Sequence, residues 1–383
     1  MRPPLNPSSG YSSRPARGSV LAVVLVMILF ASLAIAVLMD RAGDDLLVET
    51  REIDAHRLRP DAYSALETVL AVLQDFRAVN GGLRSPSEGW EDPLGFCGYE
   101  PAGGLQVKVD FVDESGKLSL PRTTRESLVG LFKGWELSQG DSERLADALL
   151  HWMTPDYAPT SSFSPDYQLA ELPYIAPGRS LRTWSELAVI DGVRDLFFDE
   201  EGRPNSLWKR FTSTFSLLDF TSTNLNAAGA GPLLSAGIDA PGQARLADYL
   251  SGSGMYQGRG ASFLRSASDA APILGRDAAP AGFGTEIQAL RIIITVRDGR
   301  GFFRLNTVVT PRSGGARPVT KKATNKLLEE MEGKPGTPKL GPPSRDAAQK
   351  ASGQGSINYP FAVLEIREND ELSRPPADPT AQP

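Results

Sequence analysis

Side chains able to do chemistry are few in this chain and lie far apart. Its 383 residues include two histidines, His56 and His151, and one cysteine, Cys97. A general base needs a nucleophile or an orienting carboxylate beside it, and a zinc site needs His and Cys at short recurring spacings. Neither histidine has such a setting. There is no G-x-S-x-G elbow, no G-x-G-x-x-G turn and no Walker A loop, and Gly116-Lys117 is followed by Leu118 where a phosphate loop carries Ser or Thr. A single cysteine allows no intramolecular disulfide. The chain reads as a non-enzymatic protein.

The chemistry the sequence does invite would be done to it, at the bond between Gly18 and Ser19. Ser19 to Met39 is an uncharged run of 21 residues between Arg17-Gly18 and Asp40-Arg41. At about 1.5 Å per residue it reaches roughly 30 Å as a helix, enough to cross a bilayer core. Arg2, Arg14 and Arg17 precede it with no acidic residue, which keeps the amino terminus cytoplasmic and puts everything after Asp40 on the far side. Three readings of the segment stand. Ala34-Ile35-Ala36 offers a signal-peptidase site, although the run is longer than a usual signal core. A plain single-span anchor is the second reading. In the third, a prepilin peptidase cuts after Gly18, leaving Ser19 as the new terminus and the apolar helix attached.

The elements beyond this segment can be sketched. With 41% hydrophobic and 22% charged residues, one or two sizeable cores are possible. A net charge of −6 and a pI near 5.3 argue against a general nucleic-acid binder. Leu66, Val69, Leu70, Leu73 and Phe76 recur at helical spacing, with Asn80-Gly81-Gly82 as the stop. Pro60 is expected to kink or interrupt this helix. Leu105, Val107, Val109 and Phe111 alternate with polar residues as a half-buried strand, followed by a turn at 113–116 and by Lys117 to Leu120. Ile287–Val296 and Gly301–Thr310 flank an Asp-Gly hairpin signal, and Tyr359–Ile366 is the last strand.

Between those strands, residues 121–284 read as mostly helical. Segments are expected over 126–132 and over 143–152, the latter capped by Asp141 or Ser142. Thr183 and Glu186 have the spacing of a capping box, and residues 223–250 describe two short helices around Gly237, a helix-hairpin-helix. Residues 311–356 are rich in Pro, Gly, Ser and Lys and read as a solvated loop, with a brief helix only over 325–332. The tail after Arg374 is expected to be disordered.

Four motifs in order behind the basic leader resemble the type K minor pseudopilins of the type II secretion pathway. They are DESGKLSL (113–120), ALLHWMTPD (148–156), SELAVIDGV (185–193) and TNLNAAGAGPLLSA (223–236). The resemblance implies an α+β fold: a pilin-like long N-terminal helix packed on an antiparallel sheet, with an inserted all-α domain of helix-hairpin-helix (SAM-like) type. Its parts would be a leader (1–18), a transmembrane and assembly helix (19–39), a first pilin-like part (40–120), the inserted α-domain (121–284), continued sheet (285–310), the basic loop (311–356), the last strand (357–368) and a tail (369–383). It implies a single-pass inner-membrane protein, its bulk periplasmic, cut at Gly18–Ser19 by prepilin peptidase and methylated. Other minor pseudopilins would be its partners in a hetero-oligomeric complex that caps the pseudopilus tip and nucleates its assembly. No nucleic acid would be bound. Major pilins carry Glu at the fifth mature position, where this chain has Val23. An intramembrane carboxylate is costly without a partner, so Val23 suits a subunit with no neighbour above it. The family also implies a possible Ca²⁺ site after the 148–156 motif, and here that stretch keeps only Asp156, Asp166 and Glu171, with His151 and Thr154 in place of family Asp residues. The expectation set against all this is a membrane-tethered extracytoplasmic domain that binds peptide or nucleic acid and has no part in a pilus.

Overall fold

The computed structural model describes residues 18–168, 173–299, 301–311, 315–318 and 360–369. The leader, Glu171, the 325–332 helix, most of the basic loop and the tail lie outside them. Residues up to Leu58 and residues from Arg59 onward form two compact units.

The first unit is the start of helix α1 (Gly18–Asn80). Its segment Val23–Ala42 is long and apolar enough to cross a membrane, and none of it is buried against protein. The expected interruption at Pro60 is not found: α1 continues as helix on both sides of it. Proline removes the N–H that would bond the carbonyl of His56, and the turns on either side remain helical.

In the second unit the rest of α1 buries Ala62, Ala65, Leu66, Val69, Leu70 and Leu73 along one stripe. The helix ends at Asn80, and Gly81 beyond it turns left-handed at φ +72°. A short helix α2 (Pro93–Phe96) follows, then strand β1 (Gln106–Asp113) and the two-residue strand β2 (Leu118–Ser119). Helices α3 (Arg125–Gly134), α4 (Gln139–Met153), α5 (Arg194–Phe197) and α6 (Ser206–Thr214) come next, then strands β3 (Phe215–Ser216) and β4 (Thr223–Asn224). Helices α7 (Ala230–Ser235), α8 (Ala240–Ser251) and α9 (Ala270–Leu274) precede strands β5 (Phe283–Gly284), β6 (Leu290–Asp298), β7 (Gly301–Pro311) and β8 (Phe361–Glu368).

The main sheet has the order β1-β6-β7-β8 with every pair antiparallel, so β1 lies beside a strand reached only after the whole helical region. Val107, Val109 and Phe111 stand opposite Val296, Ile294 and Ile292, which makes one apolar face. The C-terminal half of α1 is tied to that face's outer strand: Tyr63 Oη donates to Glu368 Oε1 at 2.7 Å and Arg59 Nη2 pairs with the same oxygen at 2.8 Å. The β6–β7 turn is tight, with Asp298 opposite Gly301 and Gly299 at φ +56°. Strand β8 starts at Phe361, two residues later than the expected Tyr359, which is outside the described residues.

The helical region has its own core, in which Leu128, Leu131 and Phe132 of α3 meet Leu145, Leu149 and Trp152 of α4. Phe211 of α6 sits at its centre, 4.7 Å from Phe215 and 5.1 Å from Phe197 between ring centroids, with Trp184 edge-on at 5.9 Å. Fully burying one such ring contributes about 2–3 kcal/mol. Trp152 is buried in this core and Trp184 packs against it half-buried. The cap of α4 is Ser138, whose side chain accepts from the Asp141 N–H, so the helix begins a turn before the expected caps Asp141 and Ser142.

Candidate functional site

The residues of the first motif meet those of the fourth at the junction of sheet and helices. Asp113 closes β1 and accepts the Ser115 N–H at 2.8 Å on Oδ1. Its other oxygen takes Asn224 Nδ2 at 2.7 Å, and that amide also donates to the Arg84 carbonyl at 2.9 Å. Glu114 bonds through its backbone N–H to Ala289 O at 3.0 Å, which sets it at the entrance to β6. Its carboxylate takes Arg291 Nε at 2.6 Å, Lys117 Nζ at 3.1 Å and Ser216 Oγ at 3.2 Å. Arg291 also donates to Asn306 Oδ1 at 2.9 Å.

The two neighbouring carboxyls respond in opposite directions. Burial alone would push Glu114 up, but the charges of Lys117 and Arg291 bring it down to about 2. Burial pushes Asp113 up to about 6, against the hydrogen bonds from Ser115 and Asn224, and the Glu114 charge adds to the rise. Gly116 completes the motif by sterics: a Cβ there would lie 2.5 Å from the carbonyl oxygen of Ala227 in the fourth motif. Asn226 donates to the carbonyls of Leu264 and Thr285, each at 3.1 Å, and accepts the Leu264 N–H at 2.6 Å. The two asparagines order their loop. Asp113 and Glu114 do more than shape a turn, because they fasten the helical region to the sheet.

The third motif holds its capping box: Glu186 accepts the Thr183 N–H at 3.2 Å and the Arg179 guanidinium at 3.0 Å, and Trp152 Nε1 donates to it at 3.3 Å. The second motif leads into the stretch where calcium was expected. Among the described residues no three His, Cys, Asp or Glu gather where they could hold a metal. Asp156 and Asp166 are both exposed, and Glu171 lies outside the described residues. The carboxylate that organises this loop is Asp147 of α4, which is 0% exposed. It takes Arg125 Nε at 2.7 Å, Tyr157 Oη at 2.7 Å and the backbone N–H groups of Thr160 and Ser161 at 3.0 and 2.7 Å. Burial would raise it, but these donors hold it well below the usual carboxylate range, and burial beside it pushes the Tyr157 hydroxyl up to about 12. Neither Asp147 nor Arg125 is singled out by the sequence: Asp147 lies in the apolar stretch Leu145–Leu149, and its partner is 22 positions earlier. Beside this loop a cleft of about 1090 Å³ is lined by Tyr157, Tyr167 and Tyr174.

The helical hairpin α7–α8 turns on Gly237 at φ +66°. The N–H groups of Gly237 and Ile238 are bonded to the carbonyls of Leu234 and Leu233. Arg245 donates to Ile273 O and Leu274 O, each at 2.9 Å, and Arg276 to the carbonyls of Ala236 and Gly237. The amides and cations that could meet a nucleic-acid phosphate here are engaged within the fold.

The long apolar-to-amphipathic helix and the antiparallel sheet with helices between its strands define an α+β protein of pilin-like architecture. Residues 112–199 match the family model of type II secretion system (T2SS), protein K. The matched range contains three of the four motifs that resemble the type K minor pseudopilins. Among solved structures, the chain is similar to one in the crystal structure of the GspK-GspI-GspJ complex of the enterotoxigenic Escherichia coli type 2 secretion system, with 14% identity, a TM-score of 0.49, and cover of 72% of this chain and 97% of that one. A comparison with curated proteins gives no match.

Proposed function

We propose that this chain is a non-catalytic assembly subunit that joins other minor pseudopilins at the tip of a periplasmic pseudopilus and nucleates its growth for protein export. The observation that carries the reading is the match of residues 112–199 to the protein K family, a range that contains three of the four motifs. The unburied apolar segment Val23–Ala42 supports a single-pass anchor in the inner membrane. On this reading prepilin peptidase cuts between Gly18 and Ser19, the new terminus is methylated, and the helix stays attached as the contact with partner helices. Val23 at the fifth mature position leaves it without the carboxylate that would engage a subunit above. Two measurements test the proposal. Mass spectrometry of the native protein should find Ser19 at the terminus, and a terminus after Ala36 would sink the idea. Full-length chain in detergent should co-purify with minor pseudopilins encoded beside it, and elution as a lone monomer from that mixture counts against a tip complex.

A further inference from the structure

We infer that Arg125 is the resident cation of residues 154–168, the described stretch following α4, so that this stretch is ordered by the chain's own guanidinium and takes no calcium ion. Asp147 is wholly buried, and an ionised carboxylate there needs a compensating charge. Arg125 supplies it from α3 through a two-point contact, Nε at 2.7 Å to one oxygen and Nη2 at 3.4 Å to the other. The remaining lone pairs accept from the loop: Tyr157 Oη, and the Thr160 and Ser161 N–H groups. A calcium ion needs six to eight oxygen atoms with free lone pairs. Here the buried carboxylate is ringed by N–H and O–H donors and faced by a positive charge, so an added cation would meet repulsion instead of ligands. The other described carboxylates of the stretch, Asp156 and Asp166, are exposed and leave the pair untouched.

The test is hydrogen exchange on the full-length chain in detergent, in EDTA and in ~1 mM CaCl2. In the wild type the amides of Thr160 and Ser161 should exchange at the same slow rate in both. Arg125→Met should speed them by roughly tenfold or more, while α8 keeps its protection. Calcium-dependent slowing in the wild type, or unchanged exchange in Arg125→Met, would overturn the inference. If that variant does not fold, Arg125→Lys keeps the charge and loses the fork, so faster exchange at both amides is expected and wild-type rates would again overturn it. The outcome is independent of whether the chain caps a pseudopilus.

Discussion

Glu114 has almost no contact with water, yet it stays charged because two cations converge on it from different parts of the chain, Lys117 three residues on and Arg291 from β6. Removing one partner of such a buried set costs about 3–5 kcal/mol, since the others are left uncompensated. Glu114→Gln keeps the shape and loses the charge, so a loss of about 3 kcal/mol is expected in the unfolding free energy from urea titration at neutral pH. The pH dependence has a definite sign. The folded-state carboxyl lies near 2, below its ordinary value of 4.5, so its contribution is complete above the ordinary value and drains away as pH falls through about 2. The gap between wild type and Glu114→Gln should therefore shrink as pH falls from about 4.5 to about 2. A constant gap across that window would mean that the carboxylate's charge is not what stabilises the junction.

Helices and strands offer tests of opposite direction. Gly116 is packed against the Ala227 carbonyl, a backbone atom that cannot swing aside, and Gly116→Ala should cost about 1–3 kcal/mol. Gly130 lies exposed within α3 with no atom near its missing Cβ, and Gly130→Ala should gain up to about 1 kcal/mol. Thermal unfolding of the two variants should move in opposite senses; a matching shift would rule out steric crowding at Gly116. Ser138→Ala removes the cap of α4 and should cost about 1 kcal/mol, whereas Ser142→Ala at the expected cap removes no capping bond. Elements were legible where one periodicity decided them. The alternation through Val107, Val109 and Phe111 and the Asp-Gly turn placed β1, β6 and β7 within a few residues, because each pattern is local. The start of α4 was misplaced because Ser138, Asp141 and Ser142 are all good caps, and only the bond from the Asp141 amide chooses among them. The junction was half legible: its motif residues stood out, but Arg291 and Ser216 come from segments far apart in sequence, and no spacing rule connects them; the Arg125–Asp147 pair beside the loop after α4 was hidden for the same reason. Pro60 pointed to a kink or an interruption, and the interruption is absent because the helix continues on both sides of it.

At the scale of the molecule the proposed role depends on the N-terminal segment. Gly18→Lys should block processing if the peptidase reads that glycine, leaving the basic leader attached in a mass spectrum of the membrane fraction; a normal Ser19 terminus in this variant would show that cleavage does not depend on Gly18. The neighbouring of β1 and β6 bears on how the chain reaches its native state. Asp113 pairs with Leu290, and all of residues 114–289 must be spanned before that contact can form. Ring closure becomes dearer with every residue left slack, and a tenfold shorter effective ring spares about 2 kcal/mol of entropy. A collapsed intervening segment, its own aromatic nucleus already in place, brings the two edges together at least expense. Folding should then proceed from the middle outward, with β1 the last large strand to dock and the Glu114–Arg291 pair the latch that registers completion.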